Sequence, residues 1–187
     1  NYGLKLGATY KITAKHFLKL NGAYHTRAPY FRDAYISVRT RDHAVENLES
    51  ENIMSGDATY MMKEKFMNLR LTGYYTTITN SIYNRSFYHE ELNSFINYVM
   101  TGVDKLFTGA ELGVEAKITS ELSLTGVAGV GDYIYNSRPT VTITQDNNTE
   151  VLAKDRTVYL KNYKLGGFPQ SVFSFGVKYW SSSYRSE

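Results

Sequence analysis

The sequence predicts an all-β chain that forms part of a transmembrane antiparallel up-and-down β-barrel, about seven strands of a larger closed sheet. Three observations lead there. Apolar residues fall on alternate positions through most of the 187 residues, the period of a strand with two unlike faces. The aromatic complement is 17 Tyr and 9 Phe against 1 Trp, which favours strands and suits surfaces that are apolar at one end and wet at the other. Short and long connections follow one another in turn, the rhythm of a barrel with tight turns on one rim and long loops on the other.

The first strand covers residues 3 to 12, where Leu4, Leu6, Ala8, Tyr10 and Ile12 share a face opposite Lys5, Thr9 and Lys11. A short link at 13 to 16 leads into a second strand with Leu18, Leu20 and Tyr24 on one side and Lys19, Asn21 and His25 on the other. Residues 28 to 46 lose the alternation, hold Pro29 and several charges, and read as a long loop with room for local structure. A weaker strand at 50 to 62 ends in the turn Lys63 Glu64 Lys65, and the next runs from Leu69 to about Tyr83. Residues 84 to 94 are polar and aromatic and read as a second loop.

Extended character resumes at Phe95 and is cleanest after Gly109, where Ala110, Leu112, Val114, Ala116 and Ile118 oppose Glu111, Gly113, Glu115 and Lys117. The link 119 to 121 precedes a strand at 122 to 135. A third long connection, 137 to 169, has room for a hairpin of its own around the turn Asp146 Asn147 Asn148, with Arg156 to Tyr163 beyond it. A seventh strand sets Phe173, Phe175, Val177 and Tyr179 against Ser174, Gly176 and Lys178.

The longest apolar runs are a few residues, against the roughly 20 of a spanning helix. Hydrocarbon offers backbone groups no partners, so such a chain can span it only as a closed sheet, in strands of about 9–11 residues. Seven strands cannot close alone, and the opening residues read as an interior cut. The expectation is one partial barrel domain over residues 1–187, with a plug domain and further strands lying elsewhere. With 21 Lys plus Arg against 18 Asp plus Glu, the charge is too small and dispersed for a nucleic-acid surface. The absence of cysteine removes disulfides and thiolate metal sites.

Several segments resemble TonB-dependent outer-membrane receptors, most closely the later barrel half of those from Bacteroidota. They are Asn47 to Glu51 after the long loop, the paired aromatics Tyr74 and Tyr75 leading to Ile78 and Ile82, Gly109 to Glu115, and Gly167 to Gln170. The order and spacing of these loose motifs carry the likeness. It implies a barrel of about 22 strands with a plugged lumen, located in the outer membrane of a Gram-negative bacterium. The implied role is active uptake of an iron chelate, oligosaccharide or peptide, with the plug, the TonB complex and membrane lipid as partners and room for a surface lipoprotein. A passive porin or small structural barrel, and a soluble β-rich binding module, are the competing readings.

Ligand contacts are expected in the loops. The first combines guanidinium forks and aromatic faces in Arg27, Tyr30, Phe31, Arg32, Tyr35, Arg39 and Arg41, suited to anionic or sugar-like ligands. Asp33, Asp42 and Glu46 offer the same arginines internal partners. The second loop supplies Tyr83, Arg85, Phe87 and Tyr88, and the third Arg138. Arg70, Glu111, Glu115 and Lys117 are expected to face the lumen, toward plug or water. His89 beside Glu90 and Glu91 lacks a second His at ligand spacing, and the Asp146 cluster reads as a turn, so neither metal nor cofactor is expected. No nucleophile elbow, P-loop or zincin motif is present, which argues against an enzyme.

Overall fold

A computed structural model describes residues 1–37, 42–146 and 150–181. Arg39, Arg41, Asn147 and Asn148 lie outside the described residues. Strands β1 (Gly3–Lys11), β2 (His16–Arg27), β3 (Glu51–Lys63), β4 (Met67–His89), β5 (Ser94–Lys117) and β6 (Leu122–Tyr135) follow in sequence. After them come β7 (Thr140–Gln145), β8 (Val151–Thr157) and β9 (Ser171–Tyr179), while α1 (Phe31–Ala34) is a single helical turn between β2 and β3. The main sheet has the order β1-β2-β3-β4-β5-β6-β9, every pair antiparallel, with β7 and β8 attached to the outer part of β5. No helix among the described residues is long and apolar enough to cross a membrane.

The registers turn the alternation of single strands into two faces of a sheet. Tyr10, Leu18, Tyr60, Leu71, Leu112, Ala128 and Phe173 are successive Cα partners, a row of apolar side chains across the whole main sheet. One residue along, the row is Thr9, Lys19, Thr59, Thr72, Glu111, Gly129 and Val172. A slip of one residue anywhere would exchange the faces, so each pairing is fixed by the contrast. Phe173 and Phe175 on the apolar face are each 72% exposed, and no second layer among the described residues covers them.

Hollows open on the polar face. A groove of about 550 Å³ there is lined by Lys19, Asn21, Asp57, Arg70 and Tyr74, and another of about 540 Å³ by Arg70, Glu115, Thr125 and Lys178. Thr59 and Thr72 are buried at the base of the first, with their hydroxyl oxygens 3.0 Å apart.

Two places depart from the sequence reading. The expected second loop at 84 to 94 is almost entirely strand: β4 runs to His89, β5 starts at Ser94, and only residues 90–93 turn. Its alternation is hidden because both faces carry polar and aromatic residues. Secondly, the hairpin inside the third connection returns through β8 at Val151–Thr157, earlier than the expected Arg156 to Tyr163. β7 and β8 extend β6 and β9 outward, with β7 pairing to β5 beyond the point where β6 leaves it. At 23 and 24 residues, β4 and β5 far exceed the about 9–11 that a tilted strand needs to cross hydrocarbon.

A belt of irregular backbone marks the change of regime. The β4–β5 pairing shifts between Ile78 and Ser81 and again between Ser81 and Tyr83, where Asn80 (φ 62°) and Gly102 (φ 69°) are left-handed. Asp104 Oδ1 accepts the Asn80 N–H at 3.0 Å, and Ser137 Oγ accepts the Asp104 N–H and donates to the Gly102 carbonyl, both at 2.8 Å. Pro139 has no N–H to add to a ladder, and β7 begins just after it. Beyond this belt lies the best-packed core, with Met100, Val103 and Val141 buried against Tyr98, Tyr135, Ile143, Val158 and Leu160.

At the opposite rim the turns are short. Lys15 of one meets Glu64 of the next at 2.5 Å, and this hydrogen bond holds the Glu64 carboxyl below its ordinary pKa.

Gly109 is where the sheet needs a missing side chain most. A Cβ there would lie 2.5 Å from the Val130 carbonyl oxygen and 2.5 Å from the Tyr74 hydroxyl, whereas one on Gly113 would meet nothing within 4 Å. Gly109→Ala is therefore expected to destabilise the sheet by about 1–3 kcal/mol and Gly113→Ala to leave it little changed. Urea unfolding midpoints in detergent check this, and equal shifts would contradict it.

Candidate functional site

The register brings Arg70, Glu111, Glu115 and Lys117 to the same polar face. Glu115 accepts from Asn68 Nδ2 at 3.3 Å and lies 3.6 Å from Lys178 Nζ, while Asn21 Nδ2 donates to Asp57 at 2.8 Å. Charges of both signs are thus spread along the wall in short cross-strand pairs, an arrangement that suits water or a polar partner and concentrates no single field.

Toward the outer end the same face becomes aromatic. The Tyr74 and Tyr133 hydroxyls hydrogen-bond to each other. Phe107 lies 5.6 Å from Tyr133 by ring centroids, and Phe168 stands edge-on to Phe107 at 5.5 Å. Phe168 arrives from a loop in which Gly167 adopts φ 84°. Gln170 anchors that loop, its side-chain oxygen accepting the Tyr133 N–H at 3.0 Å and its carbonyl the Gly131 N–H at 2.8 Å. Rings offset edge-to-face in this way interact favourably beyond the area they bury.

At the belt, Arg27 pairs with Glu51 through its forked guanidinium, and its NH1 donates to the Tyr30 hydroxyl at 3.1 Å. Ser81 Oγ donates to the other Glu51 oxygen at 2.7 Å. Glu51 thereby ties the ends of β2 and β3 to β4.

The β2–β3 connection folds over the other side of the outer sheet. Asn84 Nδ2 donates to the carbonyls of Tyr35 and Ile36 at 2.6 and 3.3 Å, and the Val45 N–H donates to the Ala34 carbonyl at 2.9 Å. Lys154 of β8 reaches Glu46 of this connection at 3.1 Å, and that bond raises the Lys154 ammonium above its ordinary pKa. Between connection and sheet is a cavity of about 970 Å³, lined on one wall by Phe31, Tyr35, Asp42 and Glu46 and on the other by Val99, Thr101, Thr142 and Lys154.

The expected ligand residues are placed unevenly. Phe31 and Tyr35 come together, with ring centroids 5.0 Å apart, at the cavity. Arg32 points to Asp33 at 3.5 Å with most of its side chain exposed. Arg27 is committed to Glu51 and lies 5.0 Å over the Tyr30 ring. Tyr83, Arg85, Phe87 and Tyr88 belong to β4, not to a loop; Arg85 covers the Tyr83 ring at 5.3 Å, and Tyr88 packs on Phe95 and bonds Asn93. Arg138 sits over Tyr159 at 5.4 Å beside a small recess formed with Glu49 and Asn80.

Sequence reasoning missed Lys154, the outer-sheet threonines, and the rings of Tyr74, Phe107, Tyr133 and Phe168. Gly167 next to Phe168 and Pro169 was the one local signal for the last.

Residues 4–186 match the family described as TonB dependent receptor-like, beta-barrel. No curated protein and no solved structure matches the chain. An antiparallel meander with one mainly apolar face, one polar face, and short turns facing long connections agrees with that match over nearly the whole length, and the chain belongs to the TonB-dependent receptor family, in its β-barrel.

Proposed function

We propose that this chain builds part of the wall of an active outer-membrane transporter that takes up a nutrient ligand with energy from TonB. The observation that carries the reading is the pair of unlike faces. Rows such as Tyr10, Leu18, Tyr60, Leu71, Leu112, Ala128 and Phe173 would cost much in water, because no other described residues cover them, and would cost nothing against acyl chains. A soluble module would need a second layer over that face.

In this reading the polar face, with Arg70, Glu111, Glu115 and Lys117, lines the lumen and meets the plug or water. The edges β1 and β9 continue into further strands of the barrel, since an open edge in hydrocarbon leaves backbone groups unpaired. The short turns lie on the periplasmic rim, and the outer sheet of β4, β5, β7 and β8 stands in the external medium. The order of the motifs supports the Bacteroidota type, and with it a surface lipoprotein as partner at the external end. Iron chelate, oligosaccharide and peptide are the substrate classes of the reading.

Two outcomes test it. Val114→Arg in the full receptor is expected to cost about 2–4 kcal/mol of folding stability by placing a charge against lipid, whereas Glu115→Arg is tolerated. The folded fraction is read by heat-modifiable gel mobility, and equal losses would refute the face assignment. Growth on the nutrient that the receptor imports is expected to disappear when the receptor is deleted and equally when the TonB complex is inactivated. Growth unaffected by TonB inactivation would favour a passive porin.

A further inference from the structure

We propose that the plug domain of the full receptor turns an acidic face toward the short-turn half of this wall, where Arg70 and the lysines around it receive its carboxylates. The proposal rests on the transporter reading for the presence of a plug, and adds the chemistry of its contact.

The observation is a sum of charge. No single point of the polar face gathers it, yet the half nearest the short turns is one-sided. Lys11 and Arg70 share the row through Phe17, Met61 and Gly113, and Lys19 shares the next row outward with Glu111. Toward the turns, Lys63 shares a row with Glu115, and Lys117 shares one with Lys178. These six cations face two carboxylates, or three with Asp57 one row further out. The turns themselves are balanced, Lys15 and Lys65 against Glu64 and Glu121, so the excess belongs to the wall.

Internal pairing leaves most of it open. Lys178 lies 3.6 Å from Glu115, while Lys11, Lys19, Lys63, Arg70 and Lys117 form no ion pair among the described residues. Lys63 lies instead over the Phe17 ring at 5.9 Å.

Spacing and enclosure choose the occupant. Strands lie about 4.8 Å apart, so Lys19 on β2 and Arg70 on β4 stand on the order of 10 Å from each other. One small anion cannot bridge cations set out in this way, whereas a protein face with carboxylates of its own matches them. A plug seated on the wall also displaces their water, and a cation stripped of water without a partner is strongly unfavourable. The seated face must therefore bring anions. Arg70 lines both hollows of the polar face, with Lys19 in the first and Lys63 and Lys178 in the second. Its guanidinium offers an entering carboxylate two parallel hydrogen bonds.

The test uses the full receptor in detergent, without ligand. A carbodiimide joins an amine to a carboxylate, with loss of water, where the two touch, and the Lys15–Glu64 and Lys178–Glu115 contacts calibrate it. Mass spectrometry of the peptides is expected to find Lys11, Lys19, Lys63 or Lys117 joined to Asp or Glu of the plug. In Lys19→Gln/Arg70→Gln, protease is expected to cleave the plug about tenfold faster while the barrel keeps its heat-modifiable gel mobility. Removing a wall acid, Glu111→Gln, is expected not to accelerate cleavage. The proposal is overturned if the calibrating pairs link and no wall lysine reaches the plug, if the double variant is cleaved at the parental rate, or if Glu111→Gln accelerates cleavage equally. TonB-dependent growth is read separately, so failure here leaves the transporter reading standing.

Discussion

Backbone groups in a spanning sheet can be satisfied only by the neighbouring strand, and the rest of this structure follows from that pairing. Because the strands of the main sheet keep an unbroken register up to Ile78 and Lys105, the side-chain period of two is transmitted from strand to strand through that part. Leu112 is apolar for the same reason that Leu71, Tyr60 and Ala128 beside it are. The polar face is then free to hold Lys19, Asp57, Arg70 and Glu111, and glycines such as Gly109 let the Tyr74 ring lie close over the backbone.

The constraint relaxes at the belt of Asn80, Gly102, Asp104 and Ser137. There the ladder shifts twice, and side-chain hydrogen bonds satisfy the backbone groups that the bulges release. Above it the sheet acquires cover on both sides: Val158 and Leu160 on one, and the β2–β3 connection on the other. The buried core of the described residues therefore lies largely outside the spanning part, where water makes burial favourable. Glu51, bound to Arg27 and Ser81, joins the two regimes.

Strands were legible in the sequence wherever their faces differ. From Ala110 to Lys117 one face is apolar and the other charged, so the period shows; from Asn84 to His89 both faces are polar or aromatic, and a strand read as a loop. The short turns were legible from their polar residues, and Pro29 marked a real break. The site was less legible. Phe31 and Tyr35 stood out as exposed loop aromatics and do meet at the cavity, but the loop arginines were assigned to ligand or to nearby acids. Arg27 instead pairs with Glu51, and Glu46 is taken by Lys154, 108 residues away. Contacts made by folding one connection over another leave no local pattern, and threonines in a strand look alike whether they face water or a ligand.

Spin labels placed singly at positions 110 to 116 of the full receptor in lipid test the central claim most directly. The account predicts that labels at Ala110, Leu112, Val114 and Ala116 relax with dissolved oxygen and that those at Glu111, Gly113 and Glu115 relax with a water-soluble nickel chelate. Accessibilities that fail to alternate, or even-numbered positions shielded from oxygen inside a packed protein core, would contradict it.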